Sequence, residues 1–321
     1  MAFLPERRTM GAKIESKPYT AETLAAADYN FKAFNINYSP EIAMMARKVA
    51  RGDFSREISI AGKESCTVSF SVELAYSGTA NAAPTYGKLF KACALKETVH
   101  TTVGVSYLTD SGYSAAPVTM EVVEKDEGTS PVQVVVKVRG CMGNAKIGFD
   151  SVGQPCRIDF EFKGALVSIT DRAFGSILTP TGMNDETPDA VLSATVSFYT
   201  ETRRIDKFSV DLGNDVQLFT DPAQNVGIQG AHVVSRNPTV EIDPDLALIA
   251  TNGDFARWVG NTTGAMSVTI GDHFTLSAPA IQIIKDYAPG DREGHVTKTM
   301  SFECKRSSGN DEFKLLQGAE A

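Results

Sequence analysis

The sequence predicts a mainly β protein made of two tandem β units, each with one short helix. Most of its convincing segments are short, alternate between apolar and polar residues, and are rich in Val, Ile, Thr and Phe. Helical periodicity is scarce. The same order of elements occurs twice along the chain, which favours an internal duplication. At 321 residues the chain is also long enough for two domains.

The predicted strands follow one another along most of the chain. The segments with the clearest alternation are Phe34–Tyr38, Glu57–Ile60, Thr67–Leu74, Val99–Leu108, Val118–Val123, Val132–Val138, Leu192–Tyr199, Phe208–Leu212, Met266–Ile270 and Lys298–Phe302. Regularly spaced short strands of this kind are typical of a β-sandwich or a β-barrel.

A long hairpin is predicted in the first unit. Ile158, Phe160 and Phe162 share one parity and alternate with charged residues, as in a strand with one buried face. A polar turn containing Gly and Pro precedes them. Pairing Phe149 with Ile158, and Ile147 with Phe160, closes the hairpin.

The cysteines predict no bridge and no metal site. Cys66, Cys93, Cys141, Cys156 and Cys304 are odd in number and scattered, without a CxxC pair. On the predicted hairpin Cys141 and Cys156 lie about 30 Å apart, whereas a disulfide needs Cα atoms within about 7 Å. We therefore expect a reduced, cytoplasmic chain with buried thiols. The start lacks the hydrophobic stretch of a signal peptide, and no apolar run is long enough to span a bilayer.

The repeat is clearest at the first strand of each unit. Lys32–Met45 resembles Asp206–Phe219, since both contain a strand, a polar break and an apolar stretch. The break Ser39–Ile42 falls opposite Gly213–Val216. Any two β-rich segments align loosely, but a matching order over a long stretch favours duplication.

Each copy continues with a strand, a loop and a helix. Thr67–Leu74 matches Thr239–Leu246, and apolar residues at helical spacing follow in Tyr86–Cys93 and in Phe255–Val259. The second copy stops near the point that matches Asp150, so it lacks an equivalent of the strand Arg157–Lys163. A strand near Leu192–Tyr199 is the candidate for that place, in which case the domains are not cleanly sequential.

These limits divide the chain into three segments. Residues 1–170 form the first unit with an N-terminal arm, residues 171–190 a linker or crossover, and residues 191–321 the second unit. The linker is assigned from the Thr, Pro, Gly and acidic content of Asp171–Ala190.

The sequence contains no motif for catalysis or metal binding. No HExxH, GxSxG, P-loop or GxGxxG pattern is present, so we expect no enzyme, no cofactor and no metal. The best acidic cluster is Glu241, Asp243 and Asp245, with Pro244 suggesting a strand end. Asp254 follows downstream. A solvated face is favoured over a Ca²⁺ site or acid–base chemistry.

One basic segment stands out in a chain of net charge −8, a balance that disfavours DNA binding by attraction. Residues 43–56 could contact DNA or pair with an acidic patch on a neighbouring copy, and the second interpretation is favoured. Flexible Met side chains also suit an interface. The candidate interface residues are Met44, Met45, Arg47, Lys48 and Arg51, with Asp215 and Phe219 in the matching stretch of the second copy.

The pattern resembles the long-form major tail tube proteins of bacteriophages, in which the tube domain is duplicated. The residues that carry the resemblance are the strands FNINY (Phe34–Tyr38) and FSVDL (Phe208–Leu212), the helices around Tyr86–Cys93 and Phe255–Val259, and the hairpin exit CRIDFEFKG (Cys156–Gly164). It covers roughly residues 31–316.

The resemblance implies a barrel or sandwich whose edge strands pair with the next subunit around a ring. A duplicated tube protein would form a trimeric ring with pseudo-sixfold symmetry, and the rings would stack into a conduit for DNA ejection. DNA would pass an acidic lumen without specific binding. The implied partners are further copies of the chain and the tape measure, terminator and tip proteins. The implied location is the virion tail, assembled in the host cytoplasm without a membrane.

Three alternatives remain open. A tail-tip or distal-tail ring protein, or a head–tail connector, would share much of the pattern. A carbohydrate-binding β-sandwich would need exposed aromatic residues on one sheet face, whereas Trp258 is expected in a helix core. A hydrolase would need the acids between Glu241 and Asp254 to converge on a pocket.

Overall fold

The computed structural model describes residues 3–50, 52–79, 81–101, 104–111, 116–128, 131–173, 176, 178–184, 186–192 and 194–318. Within these residues the chain is mainly β, as predicted: one 16-stranded antiparallel sheet, one two-stranded ribbon and a few short helices. The sheet does not close into a barrel. Its strand order begins at Glu201–Thr202 and ends at Ala33–Met45, which leaves two separate edges, so the barrel form of the expectation is corrected.

The strands fall into two consecutive parts of the chain. The first part contains β1 (Thr9–Ile14), β2 (Ala33–Met45), β3 (Ile60–Glu73), β4 (Leu95–His100), β5 (Gly104–Thr109), β6 (Val118–Lys125), β7 (Gln133–Phe149) and β8 (Arg157–Arg172). The second part contains β9 (Thr195–Phe198), β10 (Glu201–Thr202), β11 (Phe208–Asp211), β12 (Asn214–Thr220), β13 (Ile228–Arg236), β14 (Thr239–Ile242), β15 (Thr263–Ile270), β16 (Phe274–Arg292), β17 (His295–Lys305) and β18 (Lys314–Gln317).

The helices are short and lie near the predicted places. They are α1 (Gly87–Ala92), α2 (Ile249–Asn252) and α3 (Asp254–Val259), with single 3-10 turns at Pro5–Arg7 and Ala26–Asp28. The second part therefore has two short helices where one was expected. Gly253, with φ of +62°, ends α2 and starts α3, because the left-handed backbone that glycine accepts interrupts the helix.

Two predicted strands differ from the observed ones. Val99–Leu108 is not one strand but parts of β4 and β5, which pair with each other up to His100 and Gly104. Only Ile60 of the predicted strand Glu57–Ile60 belongs to an observed strand, because the ladder between β2 and β3 ends at Met45 and Ile60.

The strand order has the same form in both parts. In the first part, neighbouring strands run β2, β3, β8, β7, β6, β1. In the second part they run β11, β14, β17, β16, β15, β9. All of these neighbours are antiparallel. By position, β17 therefore stands where β8 stands in the first part. The candidate segment Leu192–Tyr199 contains β9 instead, which pairs with β15 and has the place of β1.

The two parts join through backbone pairing and a common core. Strand β11 pairs with the end of β7, from Phe208 opposite Phe149 to Asp211 opposite Lys146. Strand β18 pairs with both β16 and β5. One continuous cluster of buried side chains includes Phe160 of the first part and Phe302 of the second. The strands of both parts thus bury their apolar faces together.

The long hairpin β7–β8 has the predicted faces but another register. Ile158, Phe160 and Phe162 are buried, as expected. Ile158 lies opposite Ile147 rather than Phe149, a shift of two residues that keeps the same side chains inside. Phe149 pairs with Phe208 of β11, and their ring centroids are 5.9 Å apart. Strand β11 lies on the edge of β7 opposite β8, so Phe149 has its ladder partner there rather than within the hairpin.

All five cysteines are buried and unbridged. Burial raises the pKa of Cys66 to about 11 and the pKa values of Cys156 and Cys304 to about 12. It also raises the pKa values of Cys93 and Cys141 well above the usual range. These thiols therefore stay protonated and unreactive at neutral pH.

Candidate assembly interface

The β2–β3 hairpin extends beyond the rest of the sheet. We call residues 39–64 the arm. Almost all of its described side chains are exposed or half-buried. Strand β2 is the last strand in the sheet order and includes Pro40, a residue that edge strands tolerate because one side of their backbone needs no ladder partner. The arm is thus a two-stranded projection with a free edge.

The arm carries many large apolar side chains on its surface. They are Ile42, Met44, Met45, Val49, Phe54, Ile58 and Ile60. Met44, for example, is 61% exposed. So many exposed large apolar side chains on one element indicate an interaction site, because folded chains rarely leave large apolar surfaces open to water.

The tip of the arm also carries the predicted basic residues. Arg47 and Lys48 are exposed there, as is Arg56. Arg51 lies outside the described residues. The arm therefore combines apolar side chains with local positive charge in a chain of net charge −8. This combination suits a protein partner whose surface carries both apolar and acidic side chains.

The β12–β13 pair, which we call the ribbon, is packed against the first part of the chain. Val216 and Ala231 of the ribbon form a small buried cluster with Met142 of β7. Leu218 and Val233 pack around it. The ribbon thus covers one face of β7 with its apolar side.

Glycines allow the ribbon to approach β7 closely. Gly140, with φ of +58°, faces Gly230, and a Cβ on Gly140 would lie 2.7 Å from the Cα of Gly230. Arg139 fastens the tip side of the ribbon by donating to Gln224 Oε1 at 2.8 Å. Asn214 fastens the other end by donating to the carbonyl oxygens of Cys93 and Gly143, at 2.8 and 3.0 Å.

The structure divides the predicted interface residues between two elements. Met44, Met45, Arg47 and Lys48 lie on the arm. Asp215 and Phe219 lie on the ribbon, and both are exposed. The Asp215 carboxylate accepts a hydrogen bond from Gln217 Nε2 at 2.6 Å. The Phe219 ring makes an edge contact with His232, with 5.0 Å between centroids.

The arm and the ribbon occupy matching places but differ in burial. The arm continues β2 and β3. The ribbon lies between β11 and β14 in sequence, and these two strands have the places of β2 and β3 in the strand order of the second part. Ile42 and Val216, which the sequence comparison places opposite each other, are 46% and 8% exposed. Apolar positions that are buried on the ribbon are therefore open on the arm.

The predicted acidic cluster is neutralised by arginine. Arg292 pairs with Asp243, at 3.2 Å, and with Asp245. Asp243 also accepts hydrogen bonds from the backbone N–H groups of Asp206 and Lys207, at 2.9 and 2.7 Å. Among the residues that the structure describes, no group of three or more His, Cys, Asp or Glu side chains is arranged to hold a metal ion.

Asp254 belongs to a separate, buried ionic cluster that the sequence did not predict. Arg203 binds its carboxylate through two hydrogen bonds of 2.7 Å. Lys298 binds it at 2.8 Å and also pairs with Asp286 at 2.9 Å. Burial alone would raise the pKa of Asp254, but the hydrogen bonds from Arg203 and Lys298 outweigh it and hold the pKa below 3.8.

This cluster corrects the predicted face of helix α3. Trp258 packs against the main core, as expected, but Phe255 and Val259 are exposed. The helix turns Asp254 inward because two buried cations bind that carboxylate. Arg203, Asp254 and Lys298 are far apart in sequence, so no local spacing could have revealed the cluster.

Comparison with protein-family models gives no match for the chain, and no curated protein matches its sequence. In the part of the chain that the structure describes, none of the helices is both long enough and apolar enough to cross a bilayer. The functional interpretation therefore rests on the arm, the ribbon and the strand order.

Proposed function

We propose that this chain is a structural, non-enzymatic subunit that oligomerises into stacked rings and so forms the tail tube of a bacteriophage. The main support is the arm. It projects large apolar side chains such as Met44 and Met45, together with basic residues, from an otherwise packed chain. Leaving such a surface in water is unfavourable unless another chain covers it.

The matching strand orders support a duplicated, tail-tube-like fold within this proposal. Two units related by duplication place two similar surfaces on one chain. Three chains then present six similar units around a ring, which gives a trimer with pseudo-sixfold symmetry. The resemblance of the FNINY and FSVDL strands to those of tail tube proteins agrees with this arrangement.

The proposed role also uses the charge of the chain. A net charge of −8 disfavours tight binding of phosphate groups, so DNA could pass through the lumen without specific contacts. In the virion tail the ring would contact further rings along the tube, and the tape measure, terminator and tip proteins at its ends.

Negative-stain electron microscopy of the purified chain tests the proposal. We expect rings with a central hole, and tubes at high protein concentration. Particles that stay monomeric and globular at high concentration would contradict it. Single rings that never stack would instead favour a tail-tip, distal-tail or connector ring protein.

A further inference from the structure

The ribbon packs its apolar side on a surface of its own chain, whereas Ile42 and Met44 of the arm stay exposed. At its base the arm contacts the ribbon turn, where the Glu64 N–H donates to the carbonyl oxygen of Val226 at 3.1 Å. Both are two-stranded elements. The arm continues β2 and β3, and the ribbon connects β11 to β14, which have the same places in the strand order of the second part. The surface under the ribbon is formed by β7 and β8 of the first part. The strands with the corresponding places in the second part are β16 and β17. The face of β16 and β17 that corresponds to the ribbon-covered face of β7 and β8 is the surface that the arm of another copy would fit.

The registers of the two parts can be aligned through two phenylalanines. Val68 of β3 lies opposite Phe162 of β8. Val240 of β14 lies opposite Phe302 of β17. The sequence repeat already places Val68 and Val240 at the same position, so Phe162 and Phe302 are equivalent.

The residue that follows each of these phenylalanines identifies the position on the neighbouring strand that lies under the ribbon or its equivalent. Lys163 lies opposite Met142 on β7. Glu303 lies opposite Gln282 on β16. Gln282 therefore has the place on β16 that Met142 has on β7, under the ribbon.

The two faces differ in what covers them. Met142 is 1% exposed because Val216 and Ala231 of the ribbon pack on it. Gln282 is half-buried, and its side chain donates to Asn261 Oδ1 at 3.2 Å. Ile284, two residues further along β16, is 43% exposed. The second face thus offers an open apolar side chain beside the equivalent position.

We propose that the arm of one copy packs across β16 and β17 of the next copy. Ile42 and Met44 then lie near Gln282 and Ile284, as Val216 and Leu218 lie near Met142 within one chain. This inference rests on the proposed self-assembly and names the surface that receives the arm. The proposed contact follows the arrangement of the ribbon on β7 within one chain.

The contact is directional. The arm belongs to the first part of the chain and the receiving face to the second part, so each copy gives one arm and receives one. Such head-to-tail interfaces form a closed ring when the rotation between copies closes, and a filament when it does not.

Cysteine cross-linking tests the contact. The five native thiols are buried, so a short bis-maleimide should react mainly with introduced cysteines. In assembled I42C/Q282C protein we expect a ladder of covalent multimers on a denaturing gel. Each single variant should give no ladder. The matched control I42C/I169C carries its second cysteine at an exposed position of β8 and should give no ladder either.

The outcomes separate this inference from the proposed function. Rings that form normally in I42C/Q282C but yield no ladder would overturn the inference and leave the tail-tube proposal standing. Wild-type protein that never assembles would overturn both. If the double variant does not fold, an equal mixture of I42C and Q282C should give covalent dimers above the level of either variant alone. Dimers of I42C alone would place arm against arm and would overturn the inference.

Discussion

At the scale of single residues, the most demanding feature is the buried cluster around Asp254. Arg203 and Lys298 both lie inside the protein and direct their charges at one carboxylate. Buried ion pairs of this kind add little compared with apolar packing, but they are costly to break because a charge is left without its partner. The cluster thus fixes α3 against β16 and β17.

The variant D254N should destabilise the fold strongly. The Asn side chain has the same shape but no charge, so Arg203 and Lys298 lose the carboxylate that both of them bind. We expect a loss of about 3 kcal/mol in the free energy of unfolding, measured by urea denaturation. The control D150N changes an exposed carboxylate and should stay within about 0.5 kcal/mol of the wild type. Equal effects of the two variants would contradict the cluster's role.

The same cluster predicts a pH dependence of stability. The folded pKa of Asp254 lies below its usual value of 3.8, so the stabilisation from this group is fully present above pH 3.8 and is lost as the pH falls through the folded value. Urea midpoints of wild type and D254N should therefore converge as the pH is lowered below 3.8. A difference that stays constant with pH would contradict this assignment.

At the scale of elements, the arm and the ribbon show how similar positions can serve different partners. The ribbon buries Val216 within the chain, whereas the arm leaves Ile42 open. The fold of each chain should therefore depend on the ribbon but not on the arm. Assembly should depend on the arm.

The double variant M44S/M45S should weaken assembly without unfolding the chain. Burying one Met side chain contributes about 1.5–3 kcal/mol, so losing two at an interface should raise the concentration needed for rings manyfold. Sedimentation velocity measures this, and near-ultraviolet circular dichroism checks the fold. The control V152S removes an exposed apolar side chain from the turn between β7 and β8 and should assemble normally. Unchanged assembly of M44S/M45S would disprove the arm hypothesis.

Strands and faces were predictable from the sequence where a pattern is local. The alternation of Ile158, Phe160 and Phe162 gives the buried face of β8 directly. The register of that hairpin was not predictable from alternation, because a shift of two residues keeps the same side chains buried. The residues that seat the ribbon, such as Met142, carry no sequence signal because their partners lie far along the chain.

At the scale of the whole molecule, strands of the two parts share backbone pairing. Strand β11 completes the edge of β7, and β18 lies between β16 and β5. The division into residues 1–170, 171–190 and 191–321 remains a prediction about the sequence. The common core makes it a question for experiment whether either unit folds alone.

Separate expression of residues 1–190 and 191–321 addresses that question. We expect each fragment alone to be poorly folded, because each loses strand partners and part of a common core. Co-expressed fragments should fold together and co-purify through a tag on one of them. Circular dichroism and affinity purification measure the outcome. Two stable fragments that do not associate would establish two self-contained domains.

The ribbon also has a kinetic consequence. Because it is tethered to the chain whose face it covers, it meets that face at an effective concentration set by a few connecting residues. The proposed contact between an arm and another copy has no such tether, so its formation depends on how much protein the cell has made. Dilution would therefore release the arms while every ribbon stays in place, and accumulation of free subunits would set the moment at which the proposed assembly begins.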